Sequence, residues 1–417
     1  MELVDSGKTI SFFLRIVFQV PTIVFSTLTM IAISRNLGPT GRGEVSQILL
    51  LAALTSNILC IPIFLTIMNL TASTGIKSYI SGSLYLFHWK NLALVSLLNF
   101  CLIFSWQFEK QIFSVQMIIS LNLLIVFYFI AAQIRDLLLR FHKNWIYGLD
   151  FLVQLLISGS VMILIFFHTL TVLLVIQIFI IAYGIFGLFL LIILRRRVKD
   201  FKFSNLVRKR KNNSISAEIQ RTDASFSKLG VLFQFSLSKD LLFGLFLLSK
   251  ADFGLMAAMA SFWVVVRFLR PSAVIQVKVG QANSDYSSMP PRGILGFITR
   301  ASSAIYVQAF AIGMMGILGL FLTPVLLGGG FKPSVTMTIT GLISEILLMK
   351  CLYDLSISDL KSSQNVFLSL CLTQILILGI LRTTSNVVSI SLIWFSSGVV
   401  YLVWQLINFA RKKIDSN

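Results

Sequence analysis

Arg267 and Arg270 stand three residues apart in an apolar stretch, and Lys278, eight residues on, continues the same helical face. A charge deep in a membrane span costs about 2.5–3.5 kcal/mol on insertion scales, so such residues face a cavity or a partner. Arg267 lies thirteen residues past Gly254, or ~20 Å along a helix. Guanidinium groups grip phosphate oxygens bidentately, so the pair is a candidate site for an anionic substrate. No carboxylate lies one turn away on this segment to neutralise it. The competing reading is a structural pairing with Asp240 or Glu345.

A second constellation opens the chain. Arg15, Gln19, Thr22, Ser26 and Thr29 follow at intervals of 4, 3, 4 and 3 residues, which puts all five on one helical face. Two readings stand: the wall of a wet cavity, or interhelical hydrogen bonding with Arg15 snorkelling to the interface. Pro21 lacks the N–H of the helix ladder, so bending is expected near it.

Further along come Gln234, Ser238, Lys239 and Asp240. Consecutive helical residues differ by about 100°, so Lys239 and Asp240 are not expected to face one point. Lys239 joins the substrate-binding candidates. Asp240 is a candidate for proton or cation coupling, against the alternative of a salt bridge to a neighbouring helix. Glu345, ten residues into its apolar block, is either a second coupling site or a counter-charge. Lys350 is expected to snorkel, and Asp150 to be a terminal or capping charge.

The elements that must position these residues are membrane helices. The chain has 417 residues, is 56% hydrophobic with mean hydropathy +0.88, and carries 12% charged residues, about half the share of a soluble domain. Apolar blocks long enough to cross a bilayer predict twelve spans, near 10–34, 45–69, 91–108, 112–134, 147–168, 170–194, 229–249, 254–279, 301–326, 335–353, 365–382 and 386–409. The first is read as a span, not a cleaved leader.

Net charge is +19. On this topology 24 of the 35 Lys and Arg fall on one side and six on the other. Membrane proteins collect such residues on the cytoplasmic side, so both termini are expected there. The same bias explains the charge without nucleic acid. Cys60, Cys101, Cys351 and Cys371 lie inside apolar blocks without metal-ligand spacing, and are expected to be free thiols. No metal or cofactor is expected. The sequence has no phosphate-binding loop or hydrolase motif, so the chain is not read as an enzyme.

The stretch 195–228 opens with Arg195-Arg196-Arg197 and turns Ser- and Asn-rich. It divides the chain into six-helix halves over 1–194 and 229–417. There is a faint repeat: Gly43-Glu44-Val45-Ser46 in the first half corresponds to Gly254-Leu255-Met256-Ala257 in the second. Small residues at such turns let helices approach closely.

The stretch SRNLGPTGRGEVSQILL (34–50) resembles the signature of polysaccharide biosynthesis proteins, the Wzx-type flippases of the MATE-like exporter superfamily. DLLFGLFLLSKADFGLMAAMASFW (240–263) is similar to a second region of that family, with Met256 at its usual Tyr. LTPVLLGGGFKPSVTMTITGL (322–342) is similar to a third. The resemblance implies an all-α integral membrane fold of about twelve helices, in two six-helix bundles around a central cavity, that opens alternately to the two faces. It implies an undecaprenyl-diphosphate-linked oligosaccharide as substrate, moved across the bacterial cytoplasmic (inner) membrane. Membrane lipids and polysaccharide polymerase machinery would be the partners. Arg15, Arg267 and Arg270 are suited to a pyrophosphate.

The rival readings are three. A drug or cation exporter should favour acidic cavity residues. A membrane glycan polymerase or ligase should show a long outer loop. A lipid II exporter often has further spans.

Overall fold

The computed structural model describes residues 2–70, 97, 114–141, 146–197, 239–268, 301–357, 361–385 and 388–415. The elements in chain order are α1 (Glu2–Leu70), α2 (Val115–Phe141), α3 (Ile146–Phe166), α4 (Val172–Arg197), α5 (239–247), α6 (Lys250–Phe268), α7 (Ala301–Leu327), α8 (Val335–Ile357), α9 (Lys361–Ser385) and α10 (Ile390–Asp415). No strand occurs among the described residues. Nine of the twelve expected spans fall on these helices; of the others, 91–108 apart from Leu97, 229–238 of the seventh span and 269–279 of the eighth lie outside the described residues.

α1 is two arms. Gly38 has φ 67° and ψ −174°, a conformation that costs glycine no Cβ clash. The helix assignment runs on past Pro21, and its one non-helical residue is Gly38. Each arm is on the order of 50 Å long at helical rise, more than the ~30 Å hydrocarbon thickness.

Helix starts are marked by hydroxyl caps, as a donor-rich N-terminus requires. Ser114, Thr171, Ser334 and Ser389 accept from the backbone N–H three residues on in α2, α4, α8 and α10. At α6 the Asp252 N–H donates to Ser249 Oγ, and the Ser249 hydroxyl reaches the Asp252 carboxylate at 2.7 Å, a reciprocal arrangement like a capping box. α4 runs through Arg197, so the arginine triplet expected to open the linker is instead the last turn of a helix. Cations are favoured there by the helix dipole.

Several helices are apolar on both faces. On α4 Val175, Ile176, Phe179, Ala182, Phe186 and Leu190 are buried, while Ile181, Ile185, Leu188 and Ile192 are exposed at helical spacing. On α10 Trp394, Tyr401 and Trp404 are buried, whereas Phe395, Val399, Leu402, Leu406 and Phe409 face outward. Continuous exposed apolar stripes have no place in water, and a helix hydrophobic all round belongs in lipid. The spans Val115–Ala132, Val172–Ile193, Val366–Thr384 and Ile390–Ala410 are long and apolar enough to cross a membrane. The protein is an all-α, multi-pass membrane protein.

The chain divides into two compact units. The first comprises Met1–Leu37 and Val45–Val231. In it α4 packs on α2 and α3, and both arms of α1 add Ile33, Val45 and Ile48 to a core with Ile125, Phe129, Ile157 and Phe186. The second comprises Gly38–Glu44 and Leu232–Asn417. In it α8 packs on α10 and α7, α6 on α7 and α9 on α10. Its core has one cluster around Phe243, Met256, Leu378 and Trp394, and another around Phe367, Cys371, Tyr401 and Trp404.

Candidate functional site

Lys239, the first described residue of α5, is fully buried in the second unit. Its ammonium donates to Asp240 Oδ1 at 2.9 Å, to Gln374 Oε1 on α9 at 2.9 Å, and to Ser397 Oγ on α10 at 2.7 Å. An ammonium has three donors, and all three are used. The Tyr401 and Phe243 rings lie 4.5 and 5.8 Å from it, within range of cation–π attraction.

The oxygens are themselves held. Ser397 donates its hydroxyl proton to Asp240 Oδ1 and accepts from both Lys239 and Gln374 Nε2, which fills a hydroxyl's capacity. Gln374 Nε2 also reaches Ser396 Oγ at 2.8 Å. Both helices bring these groups in by register: Cys371, Gln374 and Leu378 share the buried face of α9, as Ile393, Ser397 and Tyr401 share that of α10. A fully satisfied polar network in a low dielectric is rigid, and loss of one member is costly.

This corrects the expectation that Lys239 and Asp240 cannot meet at one point. The 100° between their Cβ atoms holds, but the flexible lysine stem bends back and both groups converge on Ser397. The three donors of Lys239 are committed to protein oxygens. Among the described residues, the salt bridge of Asp240 is with its own sequence neighbour. Gln374 and Ser397 were missed by sequence reasoning. The available signal was a lone amide in the apolar run LSLCLTQILIL.

The other expected site residues are placed as follows. Arg15 and Gln19 lie on α1 and Arg267 on α6, with side chains outside the described residues; Arg270 and Lys278 lie outside them altogether. Thr22 and Ser26 are half-buried. Thr29 is buried, with its hydroxyl 2.6 Å from that of Ser158 on α3. Of the two readings of the stripe, interhelical hydrogen bonding is the one realised at Thr29. Glu345 is buried on α8. Asp150 is not a cap: it pairs with Arg135 of α2 at 3.4 Å. Cys351 and Cys371 are buried free thiols; the Cys60 and Lys350 side chains and the whole of Cys101 are outside the described residues.

Residues 38–44 of the first stretch that carried the sequence resemblance meet the other two stretches inside the second unit. A β-carbon on Gly43 would collide with the Lys250 carbonyl, and one on Gly254 with the Pro39 carbonyl. A β-carbon on Gly330 would stand 3.1 Å from the Pro39 ring. Beside this contact Lys250 pairs with Glu44 at 2.5 Å, and Arg42 donates to Ser261 at 3.3 Å. The motif glycines serve close backbone packing.

No protein-family model and no curated protein matches the sequence. Solved structures are similar in fold. A lipid II flippase MurJ in an inward closed conformation aligns with TM-score 0.61 and 12% identity, over 95% of this chain and 87% of that one. An inward-facing multidrug resistance MATE family transporter of the MOP superfamily aligns with TM-score 0.59 and 13% identity, over 97% and 98%. A MOP superfamily transporter from Pyrococcus furiosus aligns with TM-score 0.58 and 13% identity, over 97% and 94%. The chain has the fold of these transporters. At these identities the likeness is one of fold, and it supports the two-bundle, roughly twelve-helix architecture. The saturated lysine belongs to the second unit, and Arg15 and Arg267 sit on α1 and α6.

Proposed function

We propose that the protein is a flippase. It moves an undecaprenyl-diphosphate-linked oligosaccharide from the cytoplasmic to the outer leaflet of the bacterial cytoplasmic membrane, for surface polysaccharide synthesis. The observation that carries this reading is a set of arginines in apolar spans, Arg15, Arg267 and Arg270, on a transporter fold that a lipid II flippase shares. A diphosphate inside a membrane needs cations that stay charged, and guanidinium groups meet that need.

In this reading the three arginines hold the diphosphate and Gln19, Thr22 and Ser26 hydrogen-bond sugar hydroxyls. The lipid tail stays in the bilayer, and the substrate site opens alternately to the two faces. Both termini are cytoplasmic, on the Lys and Arg bias of the loops. Asp240 and Glu345 are the acidic coupling candidates, and polymerase machinery receives the product. Deleting the gene tests the proposal: lipid-linked repeat units should accumulate by mass spectrometry while surface polymer is lost. Normal polymer and no accumulated intermediate, in a strain without a redundant transporter, would sink it.

The likeness to a multidrug transporter favours a second reading, export of drugs or cations. Hypersensitivity of the same deletion strain to cationic drugs, with normal glycan, would select it.

A further inference from the structure

We infer that Lys239 is a resident cation: its ammonium fills an oxygen cage of Asp240, Gln374 and Ser397 that, without the lysine, binds a small monovalent cation such as Na+. The donors are a carboxylate, an amide carbonyl and a hydroxyl, all within 2.9 Å of one point. They are hard oxygen ligands of the kind that bind alkali and alkaline-earth ions. With one carboxylate among them, a single positive charge balances the set, and a divalent ion would leave buried charge uncompensated. The aromatic faces of Tyr401 and Phe243 add attraction for a cation without supplying further negative charge.

The cage does not depend on the ammonium for its shape. Ser397 is bonded to Asp240, and Gln374 is tied to both Ser396 and Ser397. Shortening Lys239 therefore leaves three pre-positioned oxygens and one unbalanced negative charge. In the native chain the covalently tethered charge makes this site indifferent to external Na+. If the transport reading above is right, transport does not draw on a sodium gradient through this site.

The test uses the purified full-length chain in detergent, in buffers that exchange choline for Na+. Melting temperature and bound radioactive sodium are measured for the native protein, D240N, K239A, K239M and K239A/D240N. The native protein should melt alike in both buffers. K239A and K239M should gain thermal stability with Na+ in a saturable way and bind the ion, or fold only when it is present. K239A/D240N should show neither effect. Folded single variants that ignore Na+ would overturn the proposal. So would single variants that fail to fold in either buffer while K239A/D240N folds, because a competent cage would be rescued by the ion. Sodium binding by the native protein that D240N abolishes would overturn it too. None of these readouts depends on what the protein transports, so failure here and failure of the flippase reading are separately visible.

Discussion

Gly43 and Gly254 are packed backbone against backbone in the second unit. A β-carbon on Gly43 would lie 3.2 Å from the Gly254 nitrogen, and one on Gly254 would lie 2.9 Å from the Gly43 nitrogen. The two residues hold equivalent places in the faint repeat of the sequence, at the heads of the second and eighth expected spans. What they meet is main chain, which cannot rotate out of the way. Gly43→Ala should therefore destabilise the protein by about 3 kcal/mol, the upper end of ordinary overpacking. Gly159→Ala on α3 is the contrast, since a β-carbon there meets nothing within 4 Å. It should be neutral or stabilising by up to about 1 kcal/mol through helix propensity. Melting curves in detergent decide; equal shifts for the two would dismiss the packing argument.

The ion pair of Glu44 and Lys250 beside this contact is half-buried, with side-chain exposures of 18% and 32%. Discounted for solvent screening, its coupling should be about 0.2–1 kcal/mol and should fall with added salt. A double-mutant cycle with E44Q and K250M measures it. A coupling that salt leaves unchanged would mean that the pair is shielded from solvent.

Thr29 and Ser158 tie α1 to α3 inside the first unit. Hydrogen bonds between membrane helices average about 0.6 kcal/mol and reach about 1.7 kcal/mol. A cycle of T29V and S158A should return a coupling in that range. No coupling would return Thr29 to the list of residues available to a ligand.

The proposed diphosphate site makes a graded prediction. Arg267→Ala and Arg270→Ala should each abolish or strongly reduce surface polymer in a complemented deletion strain. Lysine at either position should restore only part of it, because it keeps the charge and loses the bidentate grip. Complementation by lysine equal to that by arginine would rule out bidentate recognition.

The sequence by itself determined the membrane class, the helical periods and most helix positions, because each rests on a local property. Some twenty apolar residues read as a span wherever they occur. It also picked out Gly43 and Gly254 as a repeat. That the two glycines touch, with Pro39 lodged between Gly254 and Gly330, was decided only by tertiary structure. Lys239 shows the limit most clearly. Helical angles fix where a Cβ points, not where a flexible four-carbon stem delivers its charge. Its other partners, Gln374 and Ser397, lie 135 and 158 residues away. Periodicity places each of them on a buried face, but only the packing of α5, α9 and α10 brings the three faces to one point.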